Sequence, residues 1–407
     1  MAITPYDNSP INRLIIVGNG FDLAHGLPTG YRHFLDDLWD RILGDFVTTF
    51  KTYGLIYDYN IVIYGNTVLA FSVIRINIYD KVTYDRKYIE LETSINRIIN
   101  SSASSFDKMK TILRIVSSNN FQNSFSLQIR YSSFFLDIIS HKNIANWVDI
   151  EKEYYNQLKS FLKNTDRLSE LKSVQILNNE FELIKKLLIS YLTNNVEDQY
   201  ENITDSLMNK IFSDLSVNSR DFCENISPLG SITKKHIKQI KILNFNYTST
   251  PKLYTQEENI IYIHGSVLSK LENPVIFGFG DEIDDTYGVI ENRDNNEYLK
   301  HIKSFQYFHT PNYRNILEFI DSSNFQVYLI GHSCGLSDRV LLNTIFEHEK
   351  CKSIKIYYHE KEKGIDDHND ITMNISRHFK NKARMRKVVV NKTYCSPLPQ
   401  VQLRKKS

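Results

Sequence analysis

The sequence predicts an α/β protein: a parallel sheet with helices on both faces, interrupted by a large, mainly helical insertion. Three observations carry this. Residues 14–17 form an unbroken apolar run that ends in Gly18-Asn19-Gly20 and passes into a helical pattern. After residue 238 short apolar runs return, each ending at a turn or polar residue, as strands of a sheet buried on both faces do. From about residue 86 to 238 glycine is nearly absent and apolar residues recur at helical spacing.

The elements follow in order. The strand Leu14–Val17, the glycine turn and a helix carrying Phe34, Leu35 and Leu38 come first. Residues 54–83 are rich in Ile, Val and Tyr, with Gly65-Asn66 midway, which suggests a hairpin. The clearest helices are "YIELETSINRIIN", "WVDIEKEYYNQLKSFLKN" and "NNEFELIKKLLISYLTNN". They share no fixed period, so this block is an insertion and not a repeat array. The later strands are "IKILNFNYTST", "NIIYIHGSV", "NPVIFGFGDE", "FQVYLIGHSCG" and "KSIKIYYHE". The chain thus divides into a discontinuous α/β domain at 1–53 and 239–392, a β-rich hairpin at 54–85, a helical insertion at 86–238 and a flexible tail at 393–407.

Composition narrows the function. A formal charge of +2 over 407 residues argues against a broad nucleic-acid footprint, and the basic end Arg404-Lys405-Lys406 is too short to supply one. The four cysteines, Cys223, Cys334, Cys351 and Cys395, form no C-x-x-C pair, so neither a zinc knuckle nor a disulfide framework is expected. With no charged-then-apolar leader and no apolar run of spanning length, the expectation is a cytoplasmic protein without a membrane partner.

Strand, G-x-G, then helix is how Rossmann-type sheets build a nucleotide site, because glycines admit a pyrophosphate and the helix start offers free N–H groups. The dinucleotide fingerprint requires Gly or Ala where this chain has Leu23, and a P-loop Lys is also absent. The turn alone fits a ligand-free strand-to-helix connection as well as a nucleotide site. Asp22 would repel phosphates and reads as a helix N-cap. Asn244, Asn246, Tyr247 and Thr248 end one strand and read alone as a polar turn. His264 ends another, ahead of Gly265 and Ser266, where it is either a general base or a satisfied strand-end histidine. Gly331-His332-Ser333-Cys334-Gly335 matches the G-x-S-x-G nucleophile elbow, and Asp366 and His368 would complete a triad. Against that, Gly335, Ser337 and Asp338 read as loop and N-cap, not as a helix starting at the serine. In "WVDIE", Trp147 and Ile150 suit a core-facing stripe, and Asp149 and Glu151 suit a helix's first turn.

Taken together, "LIIVGNGFDLAHGLPTGY", "WVDIE", "LNFNYT", "YIHGS" and "IGHSCGLSD" resemble the AbiH-type family of bacterial abortive-infection proteins. Their order also resembles, distantly, the sirtuin-type NAD-binding fold. On that resemblance Gly18, Asn19, Gly20, Phe21 and Asp22, with Gly26-Leu27-Pro28, fall on the family's glycine turn. Asn246 falls on its catalytic Asn and His264-Gly265 on its catalytic His-Gly. Gly331 and Ser333 fall on its G-x-S, with Asp338 following in the same loop. Asp22, Thr29 and Thr248 depart from the pattern, and the zinc module is missing, so protein deacylation is not expected.

The resemblance implies a phage-defence effector that hydrolyses NAD at the nicotinamide–ribose bond and uses no metal. Asn246 would orient the ribose hydroxyls and a water, His264 would act as base, and the amides around Gly18 and Gly20 would hold the pyrophosphate. Ser333 would meet the adenosine ribose, and Phe21 would cover the nicotinamide. A homo-oligomer or a regulatory partner protein is expected to restrain such an activity. The alternatives are a nucleotide-binding sensor without chemistry and a serine hydrolase using Ser333.

Overall fold

The computed structural model describes residues 10–75, 81–117, 125–129, 138, 147–163, 166–201, 204–223, 237–269, 271–280 and 285–406. The chain forms two compact units: Met1–Thr29, Glu151–Asn178 and Tyr191–Ser407 make one, and Gly30–Ile150 with Asn179–Ser190 make the other.

The first unit opens with strand β1 (Ile11–Val17). Strands β2 (Asp58–Ile63), β3 (Asn66–Arg75) and β4 (Phe125–Ile129) belong to the second. The first unit resumes with β5 (Ile237–Asn244), β6 (Ile260–Tyr262), β7 (Phe325–Ile330) and β8 (Cys351–Tyr358). After the small antiparallel pair β9 (Glu360–Glu362) and β10 (Ile365–Asp366) comes β11 (Ser396–Pro397). The main sheet runs β11-β8-β7-β1-β5-β6, and every pairing in it is parallel.

All of β1 is buried because alternate residues enter opposite cores. Leu14 and Ile16 pack with Leu243, Val327, Leu329 and Ile356 on one face. Ile15 and Val17 pack with Phe21, Ile242, Tyr262 and Ile330 on the other. A strand covered on both sides has no use for alternation, which is why it reads as a continuous apolar run.

Two stretches differ from the sequence reading. "NPVIFGFGDE" forms no strand among its described residues: Val275, Ile276 and Phe277 are buried, but only Phe279 touches another segment in β fashion, through a single bridge to Ile302. Beyond residue 392, where a flexible tail is expected, β11 pairs with β8 and Leu398 is buried.

In the second unit β2, β3 and β4 form an antiparallel sheet. The β2–β3 hairpin turns at Tyr64 (φ 50°) and Gly65 (φ 75°), the paired left-handed conformation that suits a two-residue turn between twisted strands. Helix α1 (Asn19–Ala24) belongs to the first unit, and α2 (Tyr31–Tyr53) to this one. Tyr31, Phe34, Leu38, Ile42, Phe46 and Phe50 make the buried stripe of α2. Phe46 stacks near Tyr59 and Phe71 of the sheet, with ring centroids 5.2 and 6.1 Å away. β4 was not anticipated inside the helical block; its signal is the alternation of Phe125, Leu127 and Ile129, too short to stand out.

Candidate functional site at the strand ends

Parallel pairing brings four motifs level. Val17 lies opposite Asn244 and Ile330, and Asn244 lies opposite Tyr262. The residues just beyond these ends are Gly18, Asn246, His264 and Gly331, at the sheet edge where open α/β folds bind ligands.

The glycine turn is a packing device. The Gly18 amide donates to the Ile330 carbonyl at 3.1 Å and the Gly20 amide to the Gly331 carbonyl at 2.8 Å. A Cβ on Gly18 would lie 2.6 Å from His332 Cα, and one on Gly331 (φ 65°) would lie 2.1 Å from the Phe21 nitrogen. Both amides expected to hold a pyrophosphate are therefore engaged within the protein. Phe21, expected over a nicotinamide, is fully buried against His25, Phe212 and Tyr254, with ring centroids 4.4 to 6.0 Å away. The Pro28 carbonyl accepts from the Tyr191 hydroxyl at 2.8 Å.

Asp22 is not the helix cap. Gly18 occupies that position, and Asp22 sits inside α1 with its carboxyl buried. Thr248 donates its hydroxyl to Asp22 Oδ2 at 2.6 Å. Burial pushes this carboxyl up to about 7, against the lowering effect of bonds from Thr248, Thr250 and Asn246.

Asn246 is fixed from two sides. Its backbone amide donates to Asn244 Oδ1 and its side-chain amide to the Gly18 carbonyl, both at 3.0 Å. Asn244 in turn donates to the Thr248 carbonyl at 3.1 Å. The strand-end asparagines thus tie the β5 loop to the glycine turn.

His264 presents Nε2 to Asp338 Oδ1 at 3.2 Å and lies 3.3 Å from the Tyr307 hydroxyl. The Phe245 ring meets His264 edge-on at 5.1 Å and His332 at 4.3 Å. Gly265 (φ 79°) lets the chain turn directly after His264, where a Cβ would sit 2.1 Å from the Pro274 carbonyl oxygen.

Behind His264 lies a buried cluster of charges. Lys303, 2% exposed, places Nζ 2.9 Å from Asp338 Oδ1 and 3.1 Å from Glu151 Oε1. The Gly278 amide also donates to Glu151, at 3.4 Å. Burial pushes the Glu151 carboxyl up, despite Lys303. Burial acts on Asp338 in the same sense, but the charges of Lys303 and His264 outweigh it and hold that carboxyl well below the usual range. Burial lowers His332 to about 4, so its imidazole is neutral near pH 7. Its Nδ1 accepts from the Cys334 amide at 3.0 Å.

The elbow reading does not assemble. Ser333 is exposed, and the chain continues through the turn Leu336–Asp338 before helix Arg339–Phe346 begins. The left-handed residue other than glycine is Cys334 (φ 53°), whose buried thiol is pushed up by desolvation. Asp366 accepts from Lys392 at 2.6 Å, and among the described residues no hydrogen bond links Ser333 to Asp366 or His368.

Asn246, His264 and Asp338 stand out in the sequence, whereas Lys303 and Tyr307 lie in a stretch without motif or period. Glu151 reads in the sequence as a first-turn residue, yet it is 4% exposed and paired with Lys303. Its one signal was an acidic residue directly after the core-facing Ile150.

Among the described residues no helix is long and apolar enough to cross a membrane. A family model described as bacteriophage abortive infection AbiH matches residues 14–359, which include every strand-end residue above. No curated protein matches the chain. The chain belongs to the AbiH family, and the family points to an abortive-infection role against phage.

Proposed function

We propose that this AbiH-family protein acts in abortive infection as an NAD glycohydrolase whose site is the strand-end cluster. The observation that supports it most is the pairing of Asn246, locked onto the glycine turn, with His264, oriented by the buried Asp338 carboxylate. A base held by a third group is the geometry that proton abstraction requires.

Nicotinamide in NAD is a good leaving group, so departure needs little acid catalysis. The site must hold the ribose, limit water and direct one water at C1′. Asn246 would orient the ribose hydroxyls and that water, and His264 would take the proton. Since the Gly18 and Gly20 amides are engaged, the pyrophosphate contact falls to Asn19 at the start of α1. Ser333 would meet the adenosine ribose. Asn246, His264 and Asp338 are all buried, which fits a form held closed by a partner protein or by self-assembly until infection.

The test measures NAD and free nicotinamide, both with purified protein and in infected cells. Wild type should consume NAD, and His264→Ala and Asn246→Ala should each lose roughly 10²–10⁴-fold in rate. Intact NAD with wild type in both settings would reject the activity. Turnover by Asn246→Ala equal to wild type would reject the site. Tight NAD binding without turnover would favour a sensor.

A further inference from the structure

Asp338 Oδ1 receives two groups: Lys303 Nζ at 2.9 Å and His264 Nε2 at 3.2 Å. An ionised carboxylate only accepts, so its contact favours a proton on Nε2, and the Tyr307 hydroxyl 3.3 Å from the same nitrogen can accept or donate accordingly. Among the described residues no hydrogen bond reaches His264 Nδ1. We infer that Lys303, braced by Glu151, is a positioning residue that keeps Asp338 an acceptor and so leaves Nδ1 as the working nitrogen of His264. This rests on the reading of His264 as the base of the strand-end site.

The arrangement needs both acids. Lys303 lies between Glu151 and Asp338, and all three are buried. Burial pushes Glu151 up, while Lys303 and His264 hold Asp338 well below the usual carboxylate range. Asp338 has two basic partners, Lys303 and His264, and Glu151 has Lys303 alone, so Asp338 is the carboxylate this geometry keeps ionised. Without the ammonium, the buried Asp338 would take a proton, become a donor, and turn the His264 ring toward the other tautomer. His332 and Tyr307 also face this group, His332 Nε2 standing 3.8 Å from Asp338 Oδ2.

The experiment is ¹⁵N NMR of ring-labelled histidine in the whole protein, assigned with His264→Gln, together with NAD turnover. In wild type the neutral His264 ring should be the Nε2–H tautomer by roughly tenfold or more, as a hydrogen bond to a charged acceptor imposes. Lys303→Met should move the population toward Nδ1–H and lower kcat on the order of a hundredfold, with KM changed far less. Lys303→Arg, which keeps the charge, should restore the tautomer. If Lys303→Met does not fold, the nearly isosteric Asp338→Asn is read instead and should likewise lose the preference. An Nδ1–H ring in wild type, or an unchanged tautomer in a folded Lys303→Met, would overturn the inference. Absence of NAD turnover in a wild type with the expected tautomer would count against the proposed activity and leave the positioning role standing.

Discussion

Two buried polar networks belong to the same sheet, and they are built on opposite logics. The first lies on the sheet's face. Arg13 donates to Gln326 Oε1 at 3.2 Å, to the Ser216 carbonyl at 2.8 Å and to the Asp214 carbonyl. Gln326 donates to Asp221 at 3.0 Å, and Lys355 pairs with the same carboxylate at 3.0 Å. The Arg13 guanidinium also lies 4.3 Å from the Tyr328 ring centre. Lys355 and Asp221 pair with each other and Arg13 is held by oxygen acceptors; Arg13, Gln326 and Lys355 come from the interiors of β1, β7 and β8, and Asp221 from the short turn Ser219–Asp221. The second network lies beyond the strand ends, where Glu151 and Asp338 compete for Lys303 and Asp22 has no ion pair among the described residues. In the first, the environment satisfies each group; in the second, it drives neighbouring carboxyls in opposite directions. That separation is what acid–base chemistry requires, so under the proposed function the face network holds the fold and the strand-end network is the reactive one.

The widest separation comes from Asp221→Ala. It removes the carboxylate from a buried Lys355 and strips Gln326 of one acceptor. Breaking one side of a buried pair costs about 3–5 kcal/mol, because the remaining charge is left without compensation. Denaturant unfolding should show that loss, while NAD turnover per folded molecule stays at the wild-type value. A small stability loss with lost turnover would reverse the two roles.

The next effect is read in the pH dependence of stability. Asp22 is pushed from its ordinary 3.8 to about 7 in the folded protein. Between those values the unfolded chain has released the proton and the folded protein still holds it. Stability therefore falls as pH rises across that window, by on the order of 4 kcal/mol in all. Asp22→Asn cannot ionise, so its stability relative to wild type should rise from pH 4 to pH 7 and level off above. A difference independent of pH would mean that Asp22 is compensated like the face network and does not belong to the contrast.

How much of this was legible in the sequence follows the same divide. The parallel sheet, the hairpin and the long helices were readable because apolar spacing records burial directly, as in the fully buried β1. The level strand ends were readable too, since Gly18, Asn246, His264 and Gly331 each follow an apolar run. What could not be read was pairing across distance. Lys303 reaches Glu151 over 152 residues of sequence and Asp338 over 35. Burial of a lysine leaves no periodic mark in a helix as short as Lys303–Gln306. The glycines are ambiguous for a related reason: Gly20 and Gly331 pack closely on each other, and a turn made for packing reads the same as one made for phosphate.

The smallest effect tests whether the face network is as fully compensated as its distances indicate. The Ser353 hydroxyl accepts from Gln326 Nε2 at 3.3 Å, a long contact, and the same nitrogen also donates to Asp221 at 3.0 Å. Ser353→Ala therefore removes a neutral acceptor and leaves one of the two buried Nε2 hydrogens of Gln326 without a partner, while the other stays on Asp221. The expected cost is about 1–3 kcal/mol, at the lower end of that range, because the lost bond is a long, neutral one and the bond to the charged group remains. The cost should be equal at pH 5 and pH 8, since no ionisable member loses its partner. A larger loss, or one that changes with pH, would show that Ser353 balances the Asp221–Lys355 pair. The face network would then share the charge-sharing character that here distinguishes the strand-end site.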